Sequence, residues 1–328
     1  MAKTVIVTGG CGYIGSHIAR AFKQQNPNNR VHIVDNVYRE HTVKGIDGFL
    51  IDDYASKSAL SLIAMVEPDV IVHCAGTSLV GPSVMDPAIY YDNNVSKTIT
   101  MLNAIKDLRK KPLILFSSSA SVYGAQAKPQ PLTEHDAVSP ISPYGSTKAI
   151  IEMLLKDYQK AYGIDSISFR YFNAAGADSV DHDLGQEPGA THIIARVLEA
   201  SINKQSFTIN GGDYDTLDGT CVRDYVHVQD IADAHLRGVA FVNTLGGMGL
   251  KGAQVFNLGS GTGVSNREIV EYVKDKYTLS KVEVGPNRAG DPALLVANAD
   301  RADMLLGWKP KFTITDMIND AYQWYTRQ

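Results

Sequence analysis

The sequence predicts an α/β protein, a doubly wound parallel sheet joined to a smaller α+β substrate-binding domain. Three observations carry that reading. Short apolar, β-branched runs alternate with helix-length stretches through the first half. A glycine-rich turn follows the first run directly, and the alternation is lost beyond Asn173. Strands that are apolar throughout, separated by helices, mark a parallel sheet covered on both faces, and right-handed crossovers wind it both ways.

Taken in order, strands are expected at residues 4–8, 31–34, 48–51, 69–73, 113–117 and 166–170. Helices are expected between several of them, at 14–25, 57–66, 94–108 and 144–162. The last begins cleanly, because Ser142 can cap it and Pro143 suits its first turn. Residues 174–189, rich in Gly, Asp and Pro, read as a long loop. Further helices are expected at 191–203, 228–242, 265–276, 300–306 and 315–328, with short strands at 207–210, 255–258 and 282–284. Gly246-Gly247-Met248-Gly249 reads as a flexible loop. The chain thus divides into 1–173, a dinucleotide-binding domain, and 174–328, mainly a substrate domain, with about 228–258 returning to pack on the sheet.

Composition narrows the class. The 328 residues are 44% hydrophobic and 20% charged, enough apolar content to exclude disorder. With 31 basic and 35 acidic residues the net charge is -4, so no bulk field favours nucleic acid or an anionic membrane. No apolar run approaches the roughly 18 residues of a membrane span. Cys11, Cys74 and Cys221 form no C-x-x-C pair, and Met1-Ala2-Lys3-Thr4 leads straight into the first strand; a soluble, cytoplasmic protein is expected. The nine histidines show no H-x-x-x-H or H-E-x-x-H pattern, so no metal site is expected. His227 and His235 read as polar residues of a helix face.

Gly9-Gly10-Cys11-Gly12-Tyr13-Ile14-Gly15 joins the first strand to the first helix. Gly9 and Gly12 suit a tight turn against a pyrophosphate, Gly15 suits close packing of helix on strand, and the anion would sit on the helix N-terminus. Asp35, twenty residues after Gly15, ends the second strand where a carboxylate binds ribose hydroxyls. It favours NAD over NADP, although Arg39 is close in sequence. Asp53, after the third strand, can hold the adenine amine or simply begin a loop.

Tyr144 and Lys148 lie four apart, on one helix face. A second such pair, Tyr272 and Lys276, has no hydroxyl-bearing strand upstream and reads as solvated surface. The first pair follows Ser117-Ser118-Ser119 at a strand's carboxyl end, where doubly wound sheets bind ligands. Lys148 and a positive nicotinamide ring would lower the Tyr144 phenol, letting it take an alcohol's proton.

With these motifs the sequence resembles the extended short-chain dehydrogenases/reductases, and among them the enzymes that epimerise UDP-sugars at C4. The resemblance also covers His73-Cys74-Ala75-Gly76, Tyr91-Asp92-Asn93-Asn94-Val95, Arg170-Tyr171-Phe172-Asn173, Arg223-Asp224-Tyr225-Val226-His227, Arg288-Ala289-Gly290-Asp291 and Gly307-Trp308-Lys309-Pro310. It implies a Rossmann-type fold, a homodimer, and Tyr144, Lys148 and Ser119 as the catalytic set. NAD would be held by Gly9, Gly12, Tyr13, Ile14, Gly15, Asp35, Asn36, Asp53, Tyr54, Ala75, Gly76, Asn94, Ser117, Tyr144, Lys148, Tyr171 and Phe172. The UDP-sugar would be held by Ser119, Tyr144, Asn173, His192, Arg223, Arg288, Asp291 and Leu295.

Three departures stand out. Thr77-Ser78 replaces a lysine near the pyrophosphate, which would weaken cofactor retention. His192-Ile193 replaces an asparagine-bearing segment, and Leu295, where the family gates the sugar's C2 substituent, is intermediate in size. A 4,6-dehydratase would need carboxylates where Ala120-Ser121 stand. A non-catalytic NAD sensor would not need Ser119, Tyr144 and Lys148 together. Another UDP-sugar, such as UDP-N-acetylglucosamine, UDP-xylose or UDP-glucuronate, stays open.

Overall fold

A computed structural model describes all residues except 43, 126–130, 182, 245–251, 288–291 and 328. In chain order the first lobe contains β1 (Thr4–Thr8), α1 (Tyr13–Gln25), β2 (Arg30–Asp35), β3 (Gly48–Ile51), α2 (Lys57–Val66) and β4 (Val70–His73). It continues through α3 (Val80–Met85), α4 (Pro87–Tyr90), α5 (Lys97–Lys106), β5 (Leu113–Ser119), α6 (Pro143–Tyr162) and β6 (Ser166–Tyr171). Beyond it come β7 (Asn173–Ala175), α7 (Ile193–Ile202), β8 (Ser206–Asn210), β9 (Val222–His227), α8 (Val228–Thr244) and β10 (Ala253–Leu258). The chain ends with β11 (Gly263–Ser265), α9 (Asn266–Tyr277), β12 (Lys281–Gly285), β13 (Leu294–Leu295), α10 (Asp300–Leu306) and α11 (Ile314–Thr326).

The doubly wound parallel α/β sheet is present. Seven parallel strands run in the order β10-β6-β5-β4-β1-β2-β3. Alternate residues of each central strand face opposite layers, so a run such as Val5-Ile6-Val7 must be apolar throughout. Val5, Val7, Ile33 and Val72 pack with Ile18 and Phe22 of α1 and Ile231 of α8. Ile6, Val34, Ile71 and Phe116 pack with Ile63, Met101 and Ile151 from α2, α5 and α6 on the other face. β10 closes one edge of the sheet, and the buried Trp308 donates from its indole to the Asp230 carbonyl of α8 at 2.8 Å.

A second core joins α7, α9 and α11 through Ile194, Leu198, Ile269, Met317 and Trp324. Beside it lies a small sheet ordered β11-β9-β13, to which β7 adds by pairing with β9. These strands correct the sequence expectation, in which residues 174–189 were all loop and 222–227 had no strand. They are short, and β9 carries Arg223 and Asp224, so no apolar run marks it. Asp224 is fully buried. Its carboxylate accepts from the backbone of Ser260 at 2.7 Å, and of Gly261 and Ala297 at 3.0 Å each, tying β9 to the segments after β10 and β13.

One further expectation is corrected. Residues 94–108 are not one helix, because a widened turn over Tyr91–Ser96 precedes α5, itself preceded by α3 and α4. Of the two histidines read as helix-face residues, His235 lies on α8 and His227 precedes it, and both are buried. His227 ends β9 with its ring stacked 4.0 Å from Phe312, and His235 is buried in α8 between the Ile231 carbonyl and the Tyr171 hydroxyl. Burial pulls the His235 imidazole down to about 4, so it is neutral in the fold. The Gly246-Gly247-Met248-Gly249 segment lies outside the described residues.

Candidate active site

Strand order reverses between β1 and β4, and crevices at such reversals bind ligands because adjacent loops diverge there. A cleft of about 1870 Å³, counting its open mouth, runs from this point to β13. Its enclosed part is about 590 Å³, within the roughly 300–1,000 Å³ of a small-molecule ligand site.

At one end the glycine turn opens α1. A Cβ on Gly15 would be driven into the Gly9 carbonyl, so only glycine permits this approach. No side chain caps α1, leaving its first N–H groups for an anion. Asp35 accepts from the Cys11 N–H at 2.9 Å and the Val37 N–H at 3.0 Å, which fixes its carboxylate at the end of β2. Asp53 pairs with the Lys97 ammonium at 2.7 Å. Gly9, Gly12, Tyr13, Ile14, Asn36, Tyr54, Ala75 and Gly76 line the same end.

The other half begins where Ser142 caps α6, its hydroxyl accepting from the Gly145 N–H at 3.1 Å. Gly145 lies against the turn after β5; a Cβ there would stand 2.5 Å from the Ser121 carbonyl. This close packing brings Tyr144 beside Ser119, and both line the cleft. Beneath them Glu152 of α6 takes Arg170 of β6 at 2.6 Å and the Ser118 hydroxyl at 2.5 Å, locking helix, strand and serine loop together. Lys148 is buried behind Tyr144 and donates to the Ser117 carbonyl at 2.8 Å.

Burial pushes the Tyr144 phenol above its ordinary value, and a hydrogen bond with Ser119 acts the other way. Burial pulls the Lys148 ammonium down to about 8, against the opposing pull of Cys74 and Glu152.

Asn173, His192, Leu295, Tyr171 and Phe172 line the cleft beyond Tyr144. Arg223 is not brought to the cleft wall: its guanidinium donates to the Val222 carbonyl at 2.9 Å. Arg288 and Asp291 lie outside the described residues. Ser117 does not line the cleft either, its hydroxyl facing Cys74 and Tyr171.

Residues 5–259 match Epimerase, the NAD dependent epimerase/dehydratase family. The chain belongs to that family. It is 41% identical over 329 residues to a UDP-glucose 4-epimerase of Lactobacillus helveticus, covering 98% of this chain and 96% of the relative. Among solved structures, a Brucella ovis UDP-glucose 4-epimerase in complex with NAD superposes with a TM-score of 0.90 at 36% identity, covering 98% of each chain. A Bifidobacterium longum UDP-glucose 4-epimerase with NAD+ and UDP gives 0.89 at 32% identity, covering 99% of this chain and 98% of that one.

As an NAD dependent epimerase/dehydratase, the chain has the donor set a dinucleotide needs: the uncapped α1 terminus, the glycine cradle and the fixed Asp35. Asn94 is buried against Gly76 and Thr77 of the cleft wall, its side chain accepting from the Thr77 N–H and donating to the Thr77 carbonyl and Thr147 hydroxyl. Its neighbour Asn93 itself lines the cleft, beside Lys97, Thr77 and Ser78. Lys97 was not among the sequence candidates. A lysine one turn past an Asn-Asn pair carries no signal until Asp53, 44 residues earlier, is seen opposite it.

Proposed function

We propose that the chain is an isomerase that interconverts UDP-glucose and UDP-galactose at C4, with NAD as resident cofactor. The observation that carries the reading is one continuous cleft in which Tyr144 and Ser119 stand between a dinucleotide cradle and a second ligand-sized space at Asn173, His192 and Leu295. The relatives' names and the NAD and UDP of the solved structures support the same assignment.

Bound NAD+ would supply the hydride acceptor, and once reduced the donor, for C4. The protein's part is proton transfer and grip. Tyr144 as phenolate takes the 4-hydroxyl proton and later returns it, and the Ser119 hydroxyl steadies the oxygen between the two steps. Lys148 fixes the Ser117 backbone beside them and, with its charge, favours the phenolate once the cleft is filled. Asn173 on the cleft wall, with Arg288 and Asp291, would hold the UDP, leaving the sugar free to turn and present its other face. Asp35 and the α1 terminus would keep the cofactor in place through both transfers.

Purified protein given UDP-galactose should form UDP-glucose without added NAD+ and without accumulating NADH, with the products resolved by proton NMR. Stoichiometric NADH would make the chain a dehydrogenase instead. A second reading, a 4-epimerase acting on other UDP-sugars, is favoured by Leu295, a half-buried side chain of middling size on the cleft wall. The same assay with UDP-N-acetylglucosamine, UDP-xylose and UDP-glucuronate decides it. A dehydratase is disfavoured: the described acidic residues of the cleft wall, Asp35 at the end of β2 and Asp52 and Asp53 after β3, lie at the end away from Ala120 and Ser121.

The cofactor domain is read as 1–173 with about 228–258, supported by the pairing of β10 with β6. A cytoplasmic homodimer completes the proposal. No helix among the described residues is long and apolar enough to cross a membrane. Exposed Val84, Met85 and Ile89 on α3 and α4, with Met153 on the adjoining α6, offer a second copy an apolar face. Light scattering should read about twice the 35.6 kDa of one chain; a mass of one chain would refute the dimer.

A further inference from the structure

Arg39 raises the question of cofactor choice. It lines the cleft at the Asp35 end, where the ribose of a dinucleotide would lie. A guanidinium near that hydroxyl is the usual partner of a 2′-phosphate, because its planar fork matches the phosphate oxygens. The only other cationic side chain on the described cleft wall, Lys97, is paired with Asp53. Whether the chain accepts NADP therefore depends on what Arg39 is doing.

The fork of Arg39 is already in use. Its Nη1 donates to the Cys11 carbonyl at 2.8 Å, inside the glycine turn, and its Nε lies 3.3 Å from Glu187 Oε1. The same Glu187 oxygen lies 3.5 Å from His41 Nε2. Glu187 belongs to the segment between β7 and α7, not to the dinucleotide half. That segment is fixed from both ends: the Trp324 indole donates to the Gln186 carbonyl at 2.8 Å, and the Tyr13 hydroxyl donates to the Gly176 carbonyl at 2.7 Å. The carboxylate is thus delivered to Arg39 by packing rather than by a wandering surface side chain.

We infer that Glu187 is a specificity-determining residue that holds Arg39 away from a 2′-phosphate, so that two carboxylates, Asp35 and Glu187, select NAD over NADP. The inference rests on the proposed NAD-dependent reading. Asp35 repels the phosphate directly, while Glu187 occupies the Nε side of the fork and neutralises the charge that would reward it. A chain with Asp35 but without Glu187 would retain only part of the discrimination.

The test is competition on the whole protein. Wild type, Glu187→Gln, Arg39→Met and the double variant are equilibrated with equal NAD+ and NADP+, and bound dinucleotides are quantified by liquid chromatography. Glu187→Gln should raise the bound NADP+/NAD+ ratio about fivefold, the size of a half-exposed charge pair, and Glu187→Ser should act alike. Adding Arg39→Met should abolish the rise. An unmoved ratio in both Glu187 variants, or a rise that persists without Arg39, overturns the inference while leaving NAD binding intact. A wild type that holds neither dinucleotide after equilibration overturns the NAD-dependent reading and this inference together.

Discussion

Tyr144→Phe is expected to lower epimerase turnover by roughly 10²–10⁴-fold, the span of a lost general acid–base. The ring stays, so the packing of α6 against the Ser119 loop is kept; only the hydroxyl that exchanges the C4 proton is removed. UDP affinity should stay within about twofold by direct titration, because Asn173, Arg288 and Asp291 are untouched and a change confined to the transition state appears in kcat. A variant retaining near-wild-type turnover would remove Tyr144 from the chemistry. A matching loss of UDP affinity would make the hydroxyl a binding group instead.

Lys148→Met should move activity and stability in opposite directions. Turnover is expected to fall at least about a hundredfold, as when a preorganised charged donor is deleted beside a reacting oxygen. The folded protein should gain. Burial holds the Lys148 ammonium at about 8 against an ordinary 10.5, a cost to the fold of about 3 kcal/mol while the amine is charged. Methionine removes that cost and leaves the Ser117 carbonyl without its donor, which returns about 1–2 kcal/mol. The net gain is about 1–2 kcal/mol at pH 7.

The sign also fixes a pH signature. Below pH 8 the lysine is charged in both folded and unfolded chains, and the cost is fully present. Between 8 and 10.5 the folded amine has lost its proton while the unfolded one still holds it, so wild-type stability from this group rises with pH. The advantage of Lys148→Met should therefore shrink across that interval in chemical denaturation. A variant less stable than wild type at pH 7, or an advantage that grows with pH, would show that the buried lysine is not strained.

Local pattern reaches some of these residues and stops short of others. Gly9–Gly15, Asp35 and the Ser142–Lys148 helix start were legible because turn geometry, capping and the 3.6-residue period are properties of neighbouring residues. Asn93 and Asn94 were not told apart. The widened turn over Tyr91–Ser96 inserts a residue into the helical phase and rotates the succeeding side chains by about 100°, so the period of a regular helix does not say which amide faces the cleft. β9 was missed because Arg223 and the fully buried carboxylate of Asp224 break any apolar run, and that carboxylate is satisfied by backbone donors from segments 36 and 73 residues away.

By itself, the sequence determined the doubly wound sheet, the glycine cradle with its carboxylate, and the Tyr144–Lys148 helix face. Each arises from the spacing of apolar, glycine and capping residues along a few turns. Only the tertiary structure decided which charges meet: Lys97 with Asp53, Arg39 with Glu187, and Lys148 with the Ser117 carbonyl rather than the Tyr144 hydroxyl. A charge's partner depends on distance and burial in space, and neither is a function of separation along the chain.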